Sequence, residues 1–183
     1  MRYAIVLLFD KKSSDTIFRV FKRFKEKKIS HKGLMNDLKI KPHITLSVYD
    51  SFDVELAKER LNQFCRNYNK FKIQISSFGY FPSEKSVLFL NPKASNELLE
   101  IQQNVFELFE DFETEWNPKT WVPHCTLCMY LQKKKIAKAI EIIKEEIVIT
   151  EENPFYITGH SISIVEFELL KYAEFLYDFK LKE

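Results

Sequence analysis

Apolar side chains recur along the chain at the spacing of amphipathic helices in four separate stretches. In the first stretch they fall at i, i+3, i+4 and i+7, which places them on one helical face. These residues are Ile17, Val20, Phe21 and Phe24. Ser13, Ser14 and Asp15 precede them and are residue types that cap helices. The same spacing predicts three further helices over residues 53–68, 95–112 and 133–146.

Runs rich in β-branched and aromatic residues lie between and after these helices, and each run predicts a strand. The predicted strands cover residues 2–9, 43–49, 71–78, 86–90, 124–130, 155–158, 161–169 and 173–181. The last two are expected to form a hairpin around residues 170–172. Because strands and helices do not alternate as in repeated βαβ units, the pattern predicts an α+β fold with largely antiparallel sheets.

The composition favours one domain over residues 1–183. The chain is 45% hydrophobic, enough for a sizeable core, and its three glycines form no linker. The apolar run at residues 2–9 is too short to cross a bilayer, so we expect a cytoplasmic protein with no membrane contact. Cys65, Cys125 and Cys128 are an odd set of cysteines without an export signal, which favours reduced thiols.

One octapeptide occurs twice. Residues 42–49 read PHITLSVY and residues 123–130 read PHCTLCMY, and both fall on predicted strands. Side chains of a strand alternate between its two faces. The alternation predicts that His43, Thr45, Ser47 and Tyr49 share one face, and that His124, Thr126, Cys128 and Tyr130 share the matching face of the second copy. The residues expected in the core behind these faces are Ile44, Leu46 and Val48 in the first copy and Cys125, Leu127 and Met129 in the second. The repeat suggests an internal duplication.

Two imidazoles and two hydroxyls are the groups expected of a site that cleaves a phosphodiester bond. Near neutral pH one imidazole can act as a base while the other acts as an acid, and hydroxyls can donate to phosphate oxygens. This chemistry requires neither a metal nor a cofactor. Two alternatives stay open: a protein that binds RNA or nucleotides without turnover, and a thiol or zinc protein centred on Cys125 and Cys128.

The paired H-x-T motifs resemble the signature of the two-histidine (2H) phosphoesterase superfamily, which includes RNA 2',5'-ligase-like proteins and 2',3'-cyclic nucleotide phosphodiesterases. The stretch FKIQISSFGYFPSEKSVLFL at residues 71–90 and the stretch WVPHCTL before and in the second motif add to the resemblance. It implies a bilobal fold in which two sheets flanked by helices surround a central cleft, with pseudo-twofold symmetry. His43, Thr45, His124 and Thr126 then match the catalytic residues.

The resemblance also implies a function. We expect a metal-independent phosphodiesterase that acts on RNA ends or nucleotides, at a 2',3'-cyclic phosphate or a 2',5' linkage; ligation in the reverse direction is an alternative. We expect it to act as a monomer. Aromatic residues in relatives can stack on a base, which makes Phe81, Tyr49 and Tyr130 candidates for substrate binding.

Other residues near the motifs distinguish this chain. Many ligase-like relatives carry an arginine where this chain has Met129. Lys41 lies two residues before His43 and is a candidate for the substrate phosphate, whereas Val122 holds the equivalent place in the second copy. His31 and His160 lack the threonine and are expected in loops. Residues 1–50 carry twelve Lys or Arg against five Asp or Glu, which indicates either an RNA-attracting surface or a solvated helix face.

Overall fold

The computed structural model describes residues 2–30, 39–114, 116–150, 152–169 and 171–183. Within these residues the helices are α1 (Lys11–Glu26), α2 (Val54–Cys65), α3 (Asn96–Leu108) and α4 (Ile136–Glu146). The strands are β1 (Arg2–Phe9), β2 (His43–Tyr49), β3 (Phe71–Phe81), β4 (Val87–Pro92), β5 (Cys125–Cys128), β6 (Phe155–Glu168) and β7 (Tyr172–Lys180). His31 lies outside the described residues.

The strands form one sheet in the order β2-β1-β6-β3-β4-β5, with β7 also paired to β6, and every pairing between them is antiparallel. The α+β class with antiparallel strands flanked by helices is confirmed. The expected two sheets are joined into one, because β6 pairs with β3 through its first residues and with β1 and β7 through the rest. No helix in the described part of the chain is long and apolar enough to cross a bilayer.

Strand β6 replaces two shorter strands predicted over residues 155–158 and 161–169. It continues through Gly159, which is paired with Phe9 of β1 and with Phe71 of β3. A Cβ atom at Gly159 would lie 3.3 Å from side-chain atoms of Leu7 and Phe71, so the glycine lets the strands approach closely. His160, expected in a loop, therefore lies within a continuous strand.

Strand β1 is buried on both faces. Ile5, Leu7 and Phe9 enter the main core, to which all four helices contribute. Ala4, Val6 and Leu8 lie on the opposite face, in a smaller cluster with Val48 and Val165. This double burial accounts for the continuous apolar run near the start of the sequence.

Helices α1, α2 and α3 begin at side-chain caps. Asp53 and Ser95 accept hydrogen bonds from backbone N–H groups of the first turns of α2 and α3. For α1 the expected caps at Ser13, Ser14 and Asp15 are wrong, because Asp10 accepts from the N–H of Ser13 at 2.8 Å. Ser13 is instead buried, and its Oγ accepts from the backbone N–H of Thr158 on β6 at 3.0 Å.

The two strands at the ends of the sheet path, β2 and β5, contact each other without being paired in the sheet. The outer edge of β2 is bonded to side chains of α3 and of the segment between α3 and β5. The carbonyl of Thr45 accepts from Nε1 of Trp121 at 3.1 Å, and the carbonyl of Leu46 accepts from Nε2 of Gln102 at 3.2 Å. The carbonyl of Val48 accepts from the hydroxyl of Thr114 at 2.7 Å. These bonds satisfy backbone groups that an edge strand leaves unpaired.

Replacing Gln102 with Met is expected to destabilise the fold. Gln102 is buried, so the Gln102→Met substitution leaves the carbonyl of Leu46 without its donor at a cost of about 1–3 kcal/mol. Gln103→Met is the matched control, because the amide of Gln103 only bonds Glu107 at the surface. Urea unfolding of both variants measures the difference, and equal free energies of unfolding would contradict the role of Gln102.

Candidate active site

Both motif strands carry a β-bulge at the residue after the threonine. On β2, Thr45 pairs with Val6 and Ser47 pairs with Ile5, so the ladder skips Leu46. On β5, Thr126 pairs with Phe89 and Cys128 pairs with Leu88, so the ladder skips Leu127. A bulge turns two successive residues towards one side of the sheet and reverses the alternation beyond it. The octapeptides are therefore alike in backbone geometry as well as in sequence.

The bulges correct the predicted faces of the two strands. Val48 and Met129, expected behind the motif face, line the same cavity as the histidines. Ser47 and Cys128, expected on the motif face, are buried. The reversal follows from the extra residue that each strand carries at its bulge.

Tyr49 lies in the core, so its expected place on the histidine face is wrong. Its ring stacks on Phe52 with centroids 4.9 Å apart and is 1% exposed, which leaves no face open to a base. Burial raises the pKa of its phenol to about 12. We therefore do not retain Tyr49 as a substrate contact.

A cavity of about 340 Å³ contains both motifs, and we call it the central cleft. The side chains of His43, Thr45, His124 and Thr126 line it together. Part of its wall is apolar and belongs to the smaller cluster, through Ala4, Val6, Val48 and Val165. The tertiary structure thus brings the two motifs, eighty-one positions apart in the sequence, to one site.

Each histidine is held by the backbone two residues before it. Nδ1 of His43 lies 2.7 Å from the carbonyl of Lys41, and Nδ1 of His124 lies 2.9 Å from the carbonyl of Val122. A carbonyl only accepts, so each Nδ1 carries a hydrogen and each neutral ring has its lone pair on Nε2. Both rings therefore keep Nε2 for proton transfer.

Burial favours the neutral form of both imidazoles. Desolvation lowers the pKa of His43 from 6.5 to about 4, partly opposed by its bond to the Lys41 carbonyl, and the charge of His124 lowers it further. Desolvation also lowers the pKa of His124. The repulsion disfavours double protonation, while an anion bound between the rings would raise the pKa of either one.

The ring of His124 is surrounded by aromatic side chains. Its centroid lies 5.5 Å from Phe81, 5.6 Å from Phe89 and 6.4 Å from the roughly parallel ring of Trp116. Gly79 makes room for this arrangement, because a Cβ atom there would lie 2.4 Å from the ring of Phe89. Phe81, a predicted site residue, thus contacts a motif histidine directly.

The ammonium group of Lys41 is not directed to the central cleft. It forms an ion pair with Asp178 at 2.9 Å and lies over the ring of Phe175. Lys41 contributes its backbone carbonyl to the site instead. In the basic helix α1, the guanidinium group of Arg23 forms ion pairs with Glu145 and Glu146 of α4.

Tyr130 follows β5 in a left-handed conformation with φ of 56°. Its backbone N–H donates to the carbonyl of Lys85, and the N–H of Leu131 donates to the carbonyl of Ser86. These bonds fix the turn between β3 and β4 against the end of β5. The half-buried ring of Tyr130 does not form part of the central cleft.

Two cations that the sequence reading missed line the cleft, Arg2 and Lys85. Arg2 is paired with Asp50 at 2.6 Å. Lys85 is exposed and has no side-chain hydrogen bond or ion pair to another residue that the structure describes. A lysine in a turn gives no sequence signal for this role, because the fold of the turn alone brings it to the cleft.

Trp116 and Trp121 were also missed. They line a second cavity of about 240 Å³, which we call the tryptophan pocket, together with Phe81, Asn117, Thr120, Val122 and His124. A signal was present in the sequence, because the two tryptophans are the only ones in the chain and both precede His124 by eight residues or fewer.

The cysteines are buried thiols. Burial raises the pKa values of Cys65, Cys125 and Cys128 to about 12, so thiolate chemistry at neutral pH is not favoured. Across the residues that the structure describes, no group of three or more His, Cys, Asp or Glu side chains is placed to hold a metal ion. Metal independence stays a prediction.

Comparison with known proteins gives one family and one fold. The model of the 2'-5' RNA ligase superfamily matches residues 15–169. No curated protein matches the chain in sequence.

Solved structures are similar over the whole chain. A Thermus thermophilus protein, TT0787, has a TM-score of 0.67 at 14% identity. Escherichia coli LigT has TM-scores of 0.63 in its apo form, at 12% identity, and 0.62 in its complex with 3'-AMP, at 11% identity. Each comparison covers 100% of this chain and 98% of the other. At these identities the likeness establishes the fold.

Histidine titration should follow the burial of the two rings. We expect His43 to remain neutral down to about pH 4 and His124 to protonate below its ordinary pKa of 6.5. Between these pH values the unfolded chain binds protons that the native protein does not, so the free energy of unfolding should fall as the pH falls from 6.5 towards 4.

Two-dimensional NMR of the imidazole signals measures these pKa values, and His43→Asn and His124→Asn variants assign the peaks. Ordinary pKa values for both rings, with stability constant over this range, would contradict the desolvation.

Proposed function

Because the chain belongs to the 2'-5' RNA ligase superfamily, we propose that it is a metal-independent phosphodiesterase that acts on RNA ends or nucleotides. The bond that it cleaves lies in a 2',3'-cyclic phosphate or a 2',5' linkage. The two-histidine phosphoesterase assignment made from the paired motifs is confirmed by the family match and the shared fold. The substrate and the mechanism belong to the proposal.

One observation carries it: two imidazoles in matching environments line one cleft, each with Nδ1 bonded to the backbone and Nε2 left for chemistry. In the proposed reaction a water attacks phosphorus while Nε2 of one histidine accepts its proton. Nε2 of the other histidine donates a proton to the leaving oxygen as the bond from phosphorus to that oxygen breaks.

The surroundings favour His43 as the base and His124 as the acid. His43 has the strongly lowered pKa, which favours a neutral ring with a lone pair on Nε2. Burial lowers the pKa of His124 as well, but by less than that of His43, which leaves His124 the more readily protonated of the two rings. A bound phosphodiester anion would add to this by raising the pKa of His124.

The remaining polar groups of the cleft suit the phosphate. The hydroxyls of Thr45 and Thr126 can donate to its non-bridging oxygens, and Lys85 supplies a positive charge that no described acidic residue neutralises. These groups would hold the phosphorus between the histidines and stabilise the charge of the transition state.

The same groups would catalyse ligation in reverse if the equilibrium favoured it, and binding without turnover is the remaining alternative. LigT forms a crystalline complex with 3'-AMP, which supports a nucleotide as the ligand of this related fold. The cytoplasmic location, the single bilobal domain over residues 1–183 and the monomeric state stay predictions.

Removing either histidine should abolish most of the activity. We expect His43→Ala and His124→Ala each to lower kcat by roughly 10²- to 10⁴-fold, as for a lost general acid or base. The double variant should be little worse than either single one, because the two rings act in one step. Turnover of 2',3'-cyclic nucleotides and 2',5'-linked dinucleotides in EDTA measures these rates.

His160→Ala is the matched control, because His160 lies on β6 and lines neither cavity. Circular dichroism of every variant checks folding. Near-native rates for either motif variant would contradict the paired mechanism, and activity that EDTA removes and zinc restores would contradict metal independence.

Lys85 should contribute to substrate binding through its charge. We expect Lys85→Ala to raise KM by roughly tenfold with a smaller change in kcat, because an ionic contact to the phosphate is present in the ground state as well. The salt dependence of kcat/KM should weaken too. Lys85→Arg should retain most of the effect, and Lys93→Ala, at an exposed lysine outside the cleft, is the control. Unchanged KM and salt dependence in Lys85→Ala would contradict the contact.

A further inference from the structure

The tryptophan pocket adjoins the central cleft at His124. The two cavities share three wall residues, Phe81, Trp116 and His124. A ligand with one part in each cavity would therefore pass directly beside the imidazole. The tryptophan pocket therefore lies next to the position that the proposed reaction assigns to the phosphate, with His124 between them.

Hydrogen bonds to the fold hold the indole ring of Trp121 and the backbone of Trp116. The indole N–H of Trp121 donates to the carbonyl of Thr45 at 3.1 Å, within the first motif. The backbone N–H of Trp116 donates to the hydroxyl of Thr114 at 3.1 Å, and Thr114 in turn bonds to β2. Aromatic rings that are already fixed can stack on a planar ligand with little further loss of side-chain entropy.

Polar groups lie at the rim of the pocket. Asn117 and Thr120 are exposed wall residues. The amide oxygen of Asn117 accepts from the backbone N–H of Lys119 at 2.9 Å, while its amide nitrogen donates to no group among the described residues. The hydroxyl of Thr120 donates to the backbone of Asn117 and can still accept. Flat aromatic walls with a donor and an acceptor at the edge suit a nucleobase, which is planar and polar at its rim.

We infer that the tryptophan pocket binds the nucleobase of the nucleoside whose oxygen leaves the phosphorus. This inference rests on the proposed function, in which His124 gives its proton to that oxygen. Because His124 is a wall of the pocket, the leaving nucleoside lies on this side, and its base can reach Trp116 and Trp121. The central cleft is left for the phosphate and the group on its other side. The substrate class is thus a phosphodiester with a nucleoside as its leaving group.

Tryptophan fluorescence tests binding without turnover. Both tryptophans of the chain line the pocket, so stacking of a base should quench the signal of the whole protein. We expect quenching by 3'-AMP and not by ribose 5-phosphate or inorganic phosphate at the same concentration. Trp116→Phe and Trp121→Phe each leave one tryptophan, and each remaining ring should report the base. Equal responses to all three probes, or none to 3'-AMP, would overturn the inference.

Side-chain variants test the stacking itself. Both Trp121→Leu and Trp121→Phe lose the indole N–H and differ in the aromatic ring, so Trp121→Leu should bind 3'-AMP about 5- to 150-fold more weakly than Trp121→Phe, the range expected when one base loses its aromatic partner. Tyr156→Leu is the matched control, because Tyr156 is an exposed aromatic on β6 that lines neither cavity. Equal affinities in the Leu and Phe variants would overturn the stacking.

Asn117→Ala covers the case in which Trp121→Leu fails to fold, since Asn117 is exposed and its loss should spare the core. We expect this variant to bind 3'-AMP several-fold more weakly and to bind inorganic phosphate as the native protein does. Unchanged affinity for 3'-AMP would argue against the rim contact and overturn the inference.

Two further measurements separate this inference from the proposed function. His43→Ala, which is outside the pocket, should lose turnover and keep the quenching by 3'-AMP. If no phosphodiester is cleaved but 3'-AMP still quenches, the proposed function fails and the base site stands. If a dinucleotide and its analogue without the leaving base are cleaved with the same kcat/KM, the base site fails and the function stands.

Discussion

The contact between the two edge strands is the constraint on which the rest of the structure depends. Strands β2 and β5 lie at opposite ends of the sheet path, yet they touch, and each carries one histidine motif. The outer carbonyls of β2 cannot be left without donors in a buried position. Gln102, Thr114 and Trp121 supply these donors, so the segment before the second motif is fastened to the first motif strand. The hydrogen bond from Trp121 to the outer edge of β2 also places one of the aromatic walls near His124.

The paired bulges adapt each motif strand to this arrangement. A regular strand would direct every second residue to one face, which would place Tyr49 in the cleft. With the extra residue at Leu46, the histidine and threonine face the cleft, two residues in succession turn inward, and Tyr49 reaches the aromatic cluster around Phe52. The equivalent bulge at Leu127 does the same on β5. Each strand can therefore direct its histidine and threonine to the cleft and still anchor its far end in the core.

The electrostatics of the cleft couple proton transfer to substrate binding. Both imidazoles are desolvated, and the charge of His124 opposes protonation of His43, so the free protein favours two neutral rings. General acid catalysis needs one protonated ring, and the charge that would stabilise it belongs to the phosphodiester. In the proposed mechanism, the bound phosphodiester thus stabilises the protonated histidine that donates a proton to its leaving oxygen. In the same proposal, the ammonium group of Lys85 stabilises the bound anion, and the anion raises the pKa of His124.

The sequence by itself determined the elements and the residues on which the proposed chemistry rests. Helical periodicity located the four helices and β-type runs located the strands, because both patterns are local consequences of burying one face. The repeated octapeptide identified His43, Thr45, His124 and Thr126 and the superfamily, since imidazole and hydroxyl groups at that spacing occur twice. These inferences need only neighbouring residues.

Tertiary structure alone decided the features that depend on distant partners. Polar and apolar residues alternate regularly in both octapeptides, so the sequence carries no local signal of the bulges. Each bulge is defined by the pairing of its strand with β1 or β4. Regular alternation therefore predicted the wrong faces for Tyr49, Val48 and Met129. The sequence predicted that Lys41 contacts the substrate phosphate, but in the folded protein its ammonium group is paired with Asp178. Lys85 was not predicted to be a site residue, but the fold of its turn places it at the cleft. The two predicted sheets are a single sheet because β6 continues through Gly159, where the sequence predicted the end of one strand and the start of the next. Pairing register, burial and charge partners are set by contacts across long sequence separations, which no local pattern records.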